Sequence, residues 1–491
     1  MKRRLSTNTS SDALLLMSIK FVTITLGFVV TRLLSEYLSV YDYGTYSQAM
    51  LIVSTVNTIT ILGMIDGVNY FYCSEHNIER RESYIATIFT FQCIVSTVAG
   101  LLVLILSAPI CGYFENPDLK RLLIFSATLP LFINLLSMMQ VLVVSIGKAK
   151  MIAIRNLLVS VIRLAIVVVV VLSVPGVEIV MLTTLILDVL QVFIFAGVLR
   201  KNHCPILWKR IDFSLWKRIV AYCIPMGVFT AISALNRDMD KYMISLVTDT
   251  ETLAIYANAS KILPFDIIMS SFCTVLIPQI TRQIANGEKE RAAEMYRLFL
   301  EISYMTTAIL CCAALAASPQ LMKLLYSNKY EAGLGVFRIY ILVDLLRFTN
   351  MTLVLSAAGK TKKLMMLSIG SLAMNAIMNI LLYYIFGIEG PAIATLLTTV
   401  ALGTCILWSG ARELDTYIWN LFDVKRLLLF GMESLALTWI LHKLQQKLDQ
   451  MDVHYFVILI MICGIYGLTM VLLNGRRLLR ALKKVNARTS A

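Results

Sequence analysis

Eight basic residues, Lys20, Arg32, Arg155, Arg163, Arg237, Lys261, Arg338 and Arg347, stand inside long apolar stretches of this 491-residue chain. A cation at membrane depth costs about 2.5–3.5 kcal/mol on insertion scales, so such groups turn toward a bundle interior or a wet cavity. Arginine grips phosphate through paired hydrogen bonds and lysine meets it as a point charge, so a surplus of cations in one cavity suits an anionic ligand. Lys20, Thr23, Gly27 and Thr31 follow at steps of 3, 4 and 4, which is one helical face carrying a cation, hydroxyls and a small residue. Thr230, Ser233, Arg237 and Asp240 make a matching face later in the chain.

Each cation also has a plainer reading. Arg32, Arg155 and Arg338 lie near the ends of their stretches, where long basic side chains snorkel to the headgroups. Arg347 follows Asp344 by three residues, and Arg163 is placed to reach Asp188, so both have a structural ion pair as the alternative. Lys20 and Lys261 lack an acidic residue at helical spacing, Asp266 standing at an awkward five from Lys261. The candidate substrate-binding set is therefore Lys20, Arg32, Arg163, Arg237, Lys261 and Arg347. No catalytic residue and no cofactor are expected. The ten cysteines are scattered without Cys-x-x-Cys, which predicts neither a structural disulfide nor a metal site.

The elements that position these residues follow from composition. At 58% hydrophobic, 15% charged and a mean hydropathy of +0.77, the chain lies outside the range of soluble globular domains. Its apolar residues fall in runs of about 20, the length a helix needs to cross the hydrocarbon core. Fourteen runs are readable, and they predict an all-α integral membrane protein with no large water-facing domain. The first six are 13–34, 45–67, 84–107, 122–145, 152–174 and 177–199. Six more are 219–237, 251–277, 299–317, 334–355, 364–386 and 391–409, and a final pair covers 427–442 and 453–473. Pro264 and Pro278 interrupt the eighth, as a broken helix facing protein or a wet cavity allows. No small-x-small cleavage site closes the first run, so it is expected to stay in the protein.

Lysine and arginine accumulate on the cytoplasmic side of membrane proteins. With the N-terminus inside, the cytoplasmic segments hold 29 and the opposite loops 7, so both termini are predicted cytoplasmic. The same asymmetry accounts for most of the +14 net charge and makes nucleic acid an unnecessary partner. The basic tail from Arg476 to Arg488 reads as an anchor to lipid headgroups.

An internal repeat organises the spans. Tyr43-Gly-Thr-Tyr-Ser-Gln-Ala49 matches Leu253-Ala-Ile-Tyr-Ala-Asn-Ala259 at an offset of 210, and Pro109 matches Pro319 at the same offset. Gly176-Val-Glu178 matches Gly387-Ile-Glu389 at 211, and the Gly-Lys loops at Lys148 and Lys360 match at 212. Six spans per copy give the copies the same orientation, so they are parallel repeats that enclose a central cavity and rock against each other. The expected units are a six-helix bundle over 1–211, a second over 212–422, and an extra helix pair with a basic tail over 423–491.

Together with the pattern of six, six and two spans, several motifs carry a resemblance. They are Tyr43-Gly-Thr-Tyr46 with its echo at Ile255-Tyr256, Ile224-Pro-Met226, Asp238-Met-Asp240-Lys-Tyr242, and the pair Asn375 and Asn379. The chain resembles the polysaccharide (O-antigen, Wzx-type) flippases of the multidrug/oligosaccharidyl-lipid/polysaccharide (MOP) exporter superfamily, which share a MATE-like fold. The resemblance implies a flippase carrying a polyprenyl-diphosphate-linked oligosaccharide across a bacterial inner membrane for surface polysaccharide biosynthesis. Its implied partners are that lipid-linked substrate, the bilayer and polysaccharide polymerase machinery.

Rival readings remain open. A multidrug or cation antiporter of the same superfamily would use Asp188, Asp266 and Asp344. A glycosyltransferase would need Asp238-x-Asp240 to hold a divalent ion, but no nucleotide-binding domain surrounds it. A polymerase would want a longer external loop than 318–333 provides, and a non-transporting scaffold is the last alternative.

Overall fold

The structure is a computed structural model that describes residues 9–489 apart from 76, 147, 174–175, 203–205, 207–209, 267–275, 277–279, 282, 285 and 351. The side chains of 9–18, 20, 73–74, 149–150, 171, 225–226, 229–230, 233, 266, 350, 361 and 482–489 also fall outside the described set. Lys209, Pro278 and the side chains of Lys20, Thr230, Ser233, Asp266 and the distal basic tail therefore lie outside the described residues.

Every regular element among the described residues is helical. The chain opens with α1 (Thr9–Tyr37), α2 (Val40–Ile61), α3 (Met64–Ser74), α4 (Ile78–Ile105), α5 (Ser107–Tyr113), α6 (Leu119–Ser145), α7 (Ala149–Ser173) and α8 (Val177–Lys201). It continues through α9 (Trp216–Val247), α10 (Thr250–Ala259), α11 (Lys289–Ala316), α12 (Ser318–Tyr326), α13 (Leu334–Leu346) and α14 (Leu353–Ala357). It closes with α15 (Thr361–Phe386), α16 (Gly390–Glu413), α17 (Val424–Gln450) and α18 (Tyr455–Thr489). Ten described segments are long and apolar enough to cross a bilayer, and one of them, 362–413, holds both α15 and α16. They take in eleven of the fourteen expected spans; the other three correspond to α1, α9 and the segment that begins with α10.

Large apolar side chains point outward, with Phe193 69%, Leu472 74% and Tyr384 80% exposed, while Gln92, Asn134 and Asn375 are buried. That distribution would aggregate in water and is the one a lipid solvent demands.

The helices group into two compact units, the first formed by residues 1–238 with 245–254 and the second by 239–244 with 255–491. In the first unit α6 packs against α2, α4 and α8, and α1 lies along α7. Polar side chains tie these helices together. Asn116 donates to Thr45 at 2.9 Å and to Gln48 at 2.7 Å, and Gln48 donates to Thr250 at 3.3 Å. Ser39 caps α2 by accepting from the backbone of Asp42, and Leu62 and Gly63, both at positive φ, separate α2 from α3. A Cβ on Gly227 of α9 would stand 2.4 Å from the Leu62 carbonyl carbon, so only glycine lets α9 cross this break.

Gly44, in the repeat motif, has a similar reason. A Cβ there would meet the Thr250 carbonyl oxygen at 2.3 Å, whereas one on Gly27 would meet nothing within 4 Å. Gly44→Ala is expected to destabilise the folded protein by about 1–3 kcal/mol through overpacking against a rigid backbone. Gly27→Ala is the control. Monodisperse protein remaining after a heat challenge, measured by size-exclusion chromatography, checks this, and equal survival of both variants would refute it.

In the second unit α15 pairs with α16, and α11 packs against α13, α17 and α18. Arg477 on α18 donates through Nε to Glu301 at 2.6 Å and through Nη2 to the Tyr304 hydroxyl at 2.5 Å, both on α11.

Candidate functional site

In the second unit the chemistry gathers around two breaks in the helices. The eighth span stops being helical at Ala259, five residues before Pro264. Proline lacks an N–H, its ring excludes the carbonyl four residues back, and the residue before it leaves the α region, so 260–263 are non-helical. Lys261 sits on that stretch, not on a helix face. The N–H of Leu263 donates to the Asp344 carboxylate at 2.9 Å, so a group freed by the break is satisfied by a buried acid.

The second break falls in the tenth span, read from sequence as one helix over 334–355. It is α13, a 3-10 turn from Arg347 to Asn350, and α14. Thr349 donates its hydroxyl to the Leu346 carbonyl at 2.7 Å, a local bond that competes with a regular helix here. Arg347 opens the turn with its guanidinium 3.5 Å from Asp344. The spacing of three thus gives the ion pair that was one of its two readings.

The Lys261 ammonium lies 5.8 Å from the centre of the Tyr326 ring, and the charge of Lys241 acts on it directly. Asp240 is buried in the same unit, where it accepts hydrogen bonds from Tyr256 at 2.8 Å and from Tyr340. The two rings meet edge to face at 6.4 Å. Tyr340 in turn bonds to Thr395, which receives a bond from Asn375, and Asn379 donates to Asn375 at 3.2 Å. Two of the motif residues of α15 are therefore joined to the acid at 240 through one polar chain.

The first unit holds a sparser arrangement. Arg163 and Arg155 of α7 both act electrostatically on Asp188 of α8, and Gln191 donates to that acid at 3.1 Å. Arg155 lies over the Phe195 ring at 5.0 Å and donates to Asn156 at 2.7 Å. Arg32 pairs with Glu36 one turn on, at 2.8 Å. Arg237 is exposed, unlike the buried Asp240 with which it was placed on one face.

Sequence reading missed Tyr340 and the role of Tyr256. A signal existed for the first, since Tyr340, Asp344 and Arg347 follow in the sequence at spacings of four and three. Nothing local could show that Tyr340 and Tyr256 converge on Asp240.

Residues 29–334 match the family described as polysaccharide biosynthesis protein. The chain belongs to that family. No curated protein matches the sequence. Among solved structures, the lipid II flippase MurJ in an inward closed conformation is similar at a TM-score of 0.74 and 16% identity, over 95% of this chain and all of that one. The Vibrio cholerae MATE transporter VcmN in its bent form is similar at 0.56 and 14%, over 85% of this chain and 100% of the other. A multidrug resistance MATE family transporter of the MOP superfamily, in an outward-facing conformation, is similar at 0.57 and 12%, over 82% and 94%. This member of the polysaccharide biosynthesis family is thus a multi-pass membrane protein whose fold is similar to those of MurJ and the MATE proteins.

Proposed function

We propose that the protein flips a polyprenyl-diphosphate-linked oligosaccharide from the cytoplasmic to the outer leaflet of a bacterial inner membrane, by alternating access between its two six-helix repeats. The observation that carries this reading is the group of Lys241, Lys261 and Arg347 around the broken helices of the second unit, where the Lys241 charge acts on Lys261 and Arg347 stands beside Asp344. Asp240 accepts from two tyrosines, and Asp344 accepts from the Leu263 N–H and faces Arg347, so both acids are engaged from within the unit, which supports an anion rather than a cation as the ligand. A diphosphate is the anion that suits a lysine point charge beside an arginine fork. In the first unit Lys20, Arg32, Arg163 and Arg237 are further proposed contacts for the anion, and the prenyl tail stays in lipid. The excess of basic residues in one set of loops supports cytoplasmic termini, and polymerase machinery is the expected recipient of the product.

An exporter of organic cations would need its acids available. Family membership in polysaccharide biosynthesis and the engagement of Asp240 and Asp344 in the second unit favour the lipid-linked sugar.

Reconstitution decides between the two. Vesicles carrying the protein and a fluorescent polyprenyl-diphosphate sugar in one leaflet should show that lipid appearing in the other. Transport of rhodamine 6G with no movement of the lipid would reverse the assignment.

A further inference from the structure

α3 leaves the break at Leu62 and Gly63 with Asp66, Asn69 and Tyr70 on one face, at spacings of three and four from Asp66. Tyr222 of α9 lies flat on Tyr70, the ring centres 4.3 Å apart and the planes 16° from parallel. Phe71 meets both rings edge on, at 5.1 and 5.7 Å, and is itself stacked on the buried Tyr84 at 4.4 Å. The tyrosine pair is therefore backed by packed aromatic side chains, while Tyr70 keeps 41% of its surface exposed. Asn69 is exposed and accepts from the Ser145 hydroxyl at 3.2 Å. Asp66 is half-buried, close enough to act on Tyr222 and Cys223, and makes no hydrogen bond or ion pair among the described residues. An open carboxylate and an exposed carboxamide on an otherwise apolar helix mark a face turned away from lipid.

We propose that Tyr70, Tyr222, Asp66 and Asn69 form a saccharide-binding subsite in the first unit, a proposal that rests on the flippase reading. A pyranose has an apolar C–H face ringed by hydroxyls. A rigid aromatic face covers the first, and a carboxylate and a carboxamide within one turn bond the second. An organic cation would also use aromatic rings and a carboxylate. Here, however, the Arg218 guanidinium is held 6.0 Å from the Phe71 ring and 5.6 Å from the Tyr84 ring, and donates to the Tyr84 hydroxyl at 2.9 Å. A fixed positive charge behind the platform repels a cation and leaves a neutral sugar unaffected.

Equilibrium binding to the full-length protein in lipid nanodiscs tests this with three probes. They are the polyprenyl-diphosphate oligosaccharide extracted from the source cells, bare polyprenyl diphosphate, and rhodamine 6G. The wild type should bind the sugar-bearing lipid about tenfold more tightly than the bare one, as one or two aromatic stacking contacts allow. Tyr70→Leu and Tyr222→Leu, which keep an apolar side chain but lose the ring, should abolish that difference without changing affinity for bare polyprenyl diphosphate. Tyr70→Phe and Tyr222→Phe should keep it to within about twofold, because the stacking face remains. Unchanged affinity for the bare lipid certifies folded protein in every variant. Equal binding of the two lipids by the wild type, an undiminished difference in the Leu variants, or a loss confined to rhodamine 6G would each overturn the proposal. A wild type that discriminates between the lipids but transports neither would instead remove the flippase reading and leave the subsite.

Discussion

Arg347→Gln should destabilise the folded protein by about 3 kcal/mol, and adding Asp344→Asn should restore most of that stability. Asp344 is 4% exposed, accepts from the Leu263 backbone and faces the Arg347 guanidinium at 3.5 Å. Breaking a buried pair by removing one partner costs about 3–5 kcal/mol, because the remaining charge stays in low dielectric. The cost sits at the lower end here because the Leu263 donor remains and the Arg347 side chain is 30% exposed. The double variant leaves no uncompensated carboxylate. Thermal unfolding in nanodiscs measures both, and a single variant as stable as the wild type would show the pair to be structurally idle. Flipping per folded molecule separates the second role of Arg347: the double variant should regain stability without regaining transport if the guanidinium also grips diphosphate.

Lys261→Gln should cut flipping per folded molecule by at least about tenfold, since a charge-assisted bond is worth about 1.5–3 kcal/mol and 1.4 kcal/mol is a factor of ten. Lys261→Arg should retain much more, because charge is what matters at a point contact. The position explains the expected size. Lys261 stands where the helix has stopped, against the Tyr326 ring and within reach of the Lys241 charge, so no helical geometry holds it away from a ligand. Initial flipping rates normalised to folded protein are the readout. If the Gln variant lost folded protein but kept its rate per molecule, Lys261 would be a packing residue and the binding role would fall.

The helices were legible because lipid imposes one demand, a run of about 20 apolar residues, wherever the chain crosses. The breaks were legible only where a covalent cause exists. Pro264 announces the interruption after α10, although the helix yields earlier, at Ala259. No proline or glycine announces the 3-10 turn at Arg347. Charge pairs within one helix could be read from spacing, as Asp344 with Arg347 shows. Arg32 with Glu36 was equally readable, yet the nearness of Arg32 to a helix end favoured the headgroups. Partners brought together by folding could not be read. Tyr256 and Tyr340 reach Asp240 from separate helices, and Tyr70 and Tyr222 lie 152 positions apart before α3 and α9 stack them.

α18 runs for 35 residues, about 52 Å at 1.5 Å per residue, against a hydrocarbon core of about 30 Å. Its Arg477 is fastened to Glu301 and Tyr304 of α11. A shift of α18 along α11 by a single turn would separate these partners, so the two helices are locked at one relative height. Where the surrounding bilayer is thicker or thinner than their shared apolar band, the two helices must answer as one body, by tilting together or by stretching or compressing the lipid beside them.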